Sequence, residues 1–314
     1  MKQRDDFIDV AKGLCMLFVV TIHTELFGVI GTPYPVLAVP FFFFMSGFYD
    51  RPQLSLHDFL IKSCNRLLLP TFVWMVIAYI HRSAFYYLGH GGFVFDISWT
   101  NPVFANGAAW FIFALFYAKL MMWTLSRLRI PVLFESIVML LLGWVGSVCE
   151  LPLLFDEGFS ALPLYYAGVK MYPSIRKLVS NRYLVVSGAV ALACVPLRFY
   201  PHVLVPMRSE NVRMLYPLII AIAILAFVFF LYVAFKLRNI KWLSVYGQHT
   251  FGILLTHCIF LHSFAVVINR VSEKGSPMWI AAFSLAFLFT CWASYMVSRL
   301  CEKYAPFLIG KGKS

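Results

Sequence analysis

Charge is scarce in this chain. Only 13% of its 314 residues are Asp, Glu, Lys or Arg, against the roughly 25% of an ordinary soluble domain. Acidic residues are the scarcer sign, 14 against 26 basic. The seven cysteines include no C-x-x-C pair, and their odd number with a scatter through apolar segments argues against both a disulfide framework and a zinc knuckle. Signatures of soluble catalysis are missing too: no G-x-S-x-G elbow, P-loop, H-E-x-x-H or dinucleotide-binding glycine pattern occurs. No long linker, low-complexity tract or internal repeat breaks the chain.

Apolar residues fill the space these absences leave. They make up 61% of the chain, the mean hydropathy is +0.80, and aromatics alone reach 18%. The expectation is an all-α polytopic membrane protein, a helical bundle of about ten transmembrane helices in one integral membrane domain over 1–314. The segments are Phe7–Phe27, Val36–Tyr49, Leu67–Leu88, Ala108–Leu125, Val132–Cys149, Phe159–Met171, Tyr183–Leu197, Leu215–Phe235, Val245–Ile268 and Trp279–Leu300. The second holds Pro40, which predicts a kinked or re-entrant helix. Alternate loops carry eighteen and six of the Lys and Arg residues, and Lys12 and Lys119 fall inside spans. By the positive-inside rule both termini are cytoplasmic. The same asymmetry accounts for the net charge of +12, so nucleic acid is not expected as a partner and membrane lipids are. The first apolar run is too long and too charged for a cleaved leader, and lacks a small-residue cleavage site.

That first run, FIDVAKGLCMLFVVTIHTELF, carries Asp9, Lys12 and His23. A charge at the centre of a span costs roughly 2.5–3.5 kcal/mol on insertion scales, so such groups face protein or a wet cavity. If the run is one helix, the eleven steps from Lys12 to His23 turn about 1100°, leaving both on one face about 16 Å apart. Asp9 lies three positions before Lys12, near the same stripe. Glu25 falls off that seam, near the interface. The plainer reading of Asp9 and Lys12 is a pair that snorkels to the membrane surface, but His23 lies too deep for that. Elsewhere, Ser46-Gly47 closes a phenylalanine run, Arg66 opens the third span, Trp110 begins the fourth and His257 lies in the ninth. Each also has a plain reading: a small pair that lets helices approach, a positive-inside anchor, an interfacial aromatic, a packed imidazole. A metal site needs several converging ligands; His23 and His257 supply two, no third is evident, and no metal is expected. The 19-residue outer loop Leu88–Asn106, rich in glycine and aromatics, is long enough to shape an entrance.

In order, the chain reads D-x-x-K-G with a histidine in the same span, F-F-F-F-M-S-G-F, R-L-L-L-P, W-F-I and Y-G-Q-H-T-F-G-I-L-L-T-H. This order resembles the acyltransferase 3 family of integral membrane acyltransferases, and looks closest to its fucose 4-O-acetylase-like branch. The family's basic residue and histidine with ten residues between them match Lys12 and His23. The resemblance implies a multi-pass protein of the bacterial inner (cytoplasmic) membrane that moves an acyl group, commonly acetyl from acetyl-CoA, to a hydroxyl of a cell-envelope glycan or lipid-linked saccharide. On that reading His23, Asp9 and Lys12 carry the catalysis. Arg66, Ser46, Trp110 and His257 bind substrate, and Lys12 and Arg66 hold the phosphates of acyl-CoA. The rival is a transporter or flippase that uses the polar seam as its path.

Overall fold

The computed structural model describes residues 6–26, 37–50, 55–90, 106–198 and 210–312, and among these there are helices and no strands. In chain order the α-helices are α1 (Asp6–Ile22), α2 (Ala38–Gly47), α3 (Leu56–Ser63), α4 (Leu69–His90), α5 (Trp110–Ser126), α6 (Val132–Val148), α7 (Phe155–Met171), α8 (Ile175–Ser180), α9 (Arg182–Arg198), α10 (Glu210–Lys236), α11 (Lys241–Gln248), α12 (Thr250–Val271) and α13 (Pro277–Tyr304). Each of the ten apolar segments contains helix, although Val245–Ile268 is divided between α11 and α12. Among the described residues five stretches are long and apolar enough to cross a membrane: Leu56–Tyr87, Gly107–Ser126, Tyr216–Lys236, Thr250–Val271 and Pro277–Tyr304. Exposed Leu133, Leu285, Leu288 and Trp292 put large apolar groups on the outside, as a lipid-facing surface requires.

The chain divides into two compact units, each assembled from separate segments. The first takes Met1–Cys15, Pro33–Leu54 and Ala114–Gln248; the second takes Met16–Thr32, Ser55–Phe113 and His249–Ser314. In the first unit α6 packs on α7 and α9 on α10, while α2 lies against α7. A methyl on Gly168 would sit 1.9 Å from the Phe44 carbonyl oxygen, and one on Gly47 2.2 Å from that of Tyr165. Those two bare backbones let α2 and α7 touch. Phe41 and Phe44 then pack, tilted, against Phe227 of α10. Helices α1 and α11 meet in the same way, Gly13 against the backbone of Leu243 and Gly247 against the backbone of Asp9 and Gly13.

In the second unit α12 packs on α13 and α4 on α12. Ser276 caps α13 by accepting from the Trp279 backbone N–H at 3.2 Å, and Pro277 occupies the first helical position, where its missing N–H leaves no carbonyl unpaired. The Trp279 ring is fully buried and its Nε1–H donates to Asn269 Oδ1 at 2.8 Å. Helices α3 and α4 are joined by a single wider turn over Cys64–Leu68 with π-type hydrogen bonding. The cause is Pro70: it has no N–H to give the carbonyl of Arg66 four residues earlier, so the helix widens there. Gly310, at φ +67°, lies against that same carbonyl, where any side chain would clash.

Two expectations change. Pro40 does not kink α2, because it sits in the helix's first turn, where no intrahelical N–H is called for. With ten residues, α2 is about 15 Å long, half a hydrocarbon core. The first run is not one helix to Phe27. Helix α1 ends at Ile22, and the Thr24 N–H bonds the Thr21 carbonyl in a tight turn. Thr21 and Thr24 hydroxyls bond the carbonyls of Leu17 and Thr21, and such bonds compete with helix continuation. Most of the Leu88–Asn106 loop, and Phe27, lie outside the described residues.

Candidate active site

His23 falls in the turn just after α1, so its direction is set by that turn and not by the helical phase counted from Lys12. The residue retains exposed surface, and its ring centre lies 5.1 Å from that of His257, with the planes at 60°. His257 sits on α12 with no exposed surface. Its Nδ1 lies 3.0 Å from the Ile253 carbonyl oxygen. A carbonyl only accepts, so Nδ1 carries the proton and Nε2 keeps its lone pair. The Cys258 thiol faces that lone pair, Sγ to Nε2 being 3.4 Å, and donates to it. The backbone N–H of Ala108 bonds the same sulfur. The same turn is tied to α12 by Asn106, fully buried, whose Nδ2 donates to the Leu255 carbonyl at 3.0 Å and whose own carbonyl accepts from the Ala109 N–H. This chain of bonds fixes the tautomer of one imidazole beside an open second one.

The remaining sequence candidates lie as follows. In the first unit, buried Asp9 pairs with Lys12 at 3.6 Å, and the Lys12 ammonium also donates to the Tyr49 hydroxyl at 3.1 Å while lying 4.3 Å from that ring's centre. Ser46 is half-buried near the end of α2, and its carbonyl accepts from the Tyr49 N–H, so it is placed beside Lys12's partner. In the second unit, Arg66 is exposed on the widened turn. Trp110, half-buried, opens α5 directly after the Gly107–Ala109 turn that braces Cys258. The structure therefore brings together His23 with His257, and Asp9 with Lys12.

Sequence reading missed Cys258, Asn106 and Tyr49. Cys258 was hidden by its place next to His257, since neighbours on a helix usually point about 100° apart. Its sulfur nevertheless turns to the imidazole. Cys258 is also the third donor that the sequence did not reveal: His23, His257 and Cys258 offer ligand atoms all within 4.8 Å of one another. Two imidazoles and a thiolate are a donor set suited to zinc, one short of a closed structural site.

An all-α membrane protein with a paired imidazole at its core is thus the class that fold and site define. The chain matches the acyltransferase domain of the acyltransferase 3 family over residues 5–299, and it belongs to that family. Neither curated proteins nor solved structures gave a match to set beside it.

Proposed function

We propose that this protein is an O-acyltransferase of the inner (cytoplasmic) membrane, spanning it about ten times with both termini cytoplasmic. It moves an acyl group, with acetyl from acetyl-CoA the leading case, to a hydroxyl of a cell-envelope glycan or lipid-linked saccharide. The observation that carries this reading is the His23–His257 pair, open on one side and locked on the other, in a chain of an acyltransferase family.

Acyl transfer to a hydroxyl needs a base, a positioned thioester and an outlet for the leaving group. His23 takes the proton of the acceptor hydroxyl as its oxygen attacks the thioester carbonyl. The carbon–sulfur bond then breaks, and the departing CoA sulfur receives that proton from His23. His257, held neutral by its bond to Ile253, presents a lone pair and no second charge beside His23, which keeps the base unprotonated until the hydroxyl arrives. Asp9 and Lys12 act as positioning residues. Joined with Tyr49 they form a neutral group, and α1 can lie at membrane depth and deliver His23 at its end. Arg66, exposed on its widened turn, is the cation for the phosphates of acyl-CoA, and Trp110 and Ser46 are further candidates for contact with substrate, each within its own unit.

The test uses the full chain in nanodiscs with radiolabelled acetyl-CoA and a cell-envelope extract. Wild type is expected to release CoA and label the extract, and His23→Ala to do neither. Full transfer by His23→Ala removes the assignment of the base. No CoA release by wild type with any of several acyl donors removes the acyltransferase reading and leaves the transporter.

A further inference from the structure

Beside the imidazole pair the second unit contains a cavity of about 210 Å³ lined by Ala78, His81 and Arg82 of α4 and by Cys258, Ile259 and His262 of α12. Three of these six side chains are basic and none is acidic. The rings of His81 and His262 lie 5.9 Å apart, and Ser263 Oγ holds His81 Nε2 at 2.8 Å, which fixes the ring's orientation. Among the described residues no carboxylate pairs with Arg82. Elsewhere in this unit basic groups do have acidic partners: Lys274 has Glu25 and Lys311 has Glu302. The Arg82 guanidinium supplies the cavity's positive charge, the two imidazoles add hydrogen-bonding nitrogens, and no lining carboxylate offsets them, so the place suits an entering anion. The planar fork of arginine suits phosphate or carboxylate, which it can bind through two parallel hydrogen bonds.

We propose that this cavity is the acceptor's anion pocket: it binds a phosphate or carboxylate carried by the saccharide and so brings the hydroxyl to be acylated up to the His23–His257 pair. Cys258 joins the two places. It lines the cavity, and its sulfur is 3.4 Å from His257 Nε2. An anion seated against Arg82 would therefore stand one side chain away from the reacting centre. The word acceptor rests on the acyltransferase reading, whereas anion binding at this cavity does not.

Cys258 itself offers a test that needs no turnover. Full-length protein in nanodiscs is treated with two methanethiosulfonates of similar size, one bearing a sulfonate and one a trimethylammonium group, and labelling at each cysteine is followed by mass spectrometry. Exposed Cys149 serves as the reference. At Cys258 the anionic reagent is expected to react about tenfold faster than the cationic one, relative to Cys149, as a locally positive potential would produce. Pyrophosphate or glucuronate, at matched ionic strength, is expected to slow the reaction; protection by the first alone points to a lipid diphosphate, by the second alone to an acidic sugar. Arg82→Gln should abolish the preference and Arg82→Lys keep it. Equal or inverted rates, no protection by either anion, a preference that survives Arg82→Gln, or a Cys258 closed to both reagents overturns the proposal. Label transfer from acetyl-CoA, measured separately, tells whether the enzyme reading has failed instead.

Discussion

The first unit sets three of its lysines close to carboxylates, whereas the second leaves the Arg82 guanidinium without one among the described residues. In the first, three lysines each lie against a tyrosine with a carboxylate close by. Lys12 has Tyr49 and Asp9, Lys170 has Tyr166 and Glu135, and Lys119 bonds Tyr165, whose hydroxyl donates to Asp50 at 2.7 Å. Each set is close to neutral as a group, with the ammonium over a ring face, and in two of them the hydroxyl donates to the carboxylate. That arrangement lowers the cost of holding a cation at depth, and it calls for no ligand. The second unit places His23 against His257, and Arg82 with two more imidazoles around a cavity, without carboxylates. On the proposed function, the difference separates charge that stabilises a membrane fold from charge that is kept for a substrate.

The contrast can be broken at several points. The largest effect belongs to His23→Ala, expected to lower acyl transfer about 10²- to 10⁴-fold, as loss of a general base does, with the melting temperature unchanged. His257→Ala should cost about 10- to 100-fold in kcat, since it removes the neutral neighbour but leaves the base; steady-state kinetics on both variants would show whether the order holds. In the first unit the sensitive quantity is stability. Gly168→Ala forces a methyl into the Phe44 carbonyl and should destabilise the fold by about 1–3 kcal/mol, read as a lowered melting temperature in detergent. Arg66→Gln should raise KM for acyl-CoA about three- to tenfold with kcat retained, because one charged hydrogen-bonding partner of a phosphate is lost. Tyr49→Phe keeps the ring under Lys12 and loses only the hydroxyl. For a partly exposed group that is worth at most about 1 kcal/mol, a shift of about 2 °C. A large loss of stability on His23→Ala, or none on Gly168→Ala, would collapse the distinction.

Much of this was legible in the residues. The apolar runs marked where the long helices lie, because length and hydropathy are local properties that need no partner, and five of the described stretches are long and apolar enough to cross a membrane. His23 stood out as polar and deep, and the ordered motifs pointed to the family that the whole-chain match establishes. What could not be read depends on contacts between distant residues or on small local competitions. The His23 direction was misjudged because two threonine hydroxyls end α1 a residue early. Pro40 looked like a break because its position within the helix was unknown. Lys12's second partner is 37 residues away, and Asn106, which braces the histidine site, reaches across 149. Arg82 counted on sequence only as one more basic residue near a loop, and its meaning comes from the two imidazoles the fold sets round the same cavity.

The clasp between Gly13 and Gly247 has a consequence for biosynthesis. The two glycines stand near opposite ends of the chain, so α1 is made first and its mate, α11, almost last. At about 5–20 residues per second, the ribosome takes tens of seconds to deliver the second half of that contact. Through that interval Asp9 already stands beside Lys12, and Tyr49, which emerges soon after them, can cover the ammonium. The early pair and ring act as a temporary cover. The bare backbone of Gly13 stays vacant for the late helix, and a truncated chain that ends before α11 would expose it as a mark of unfinished assembly.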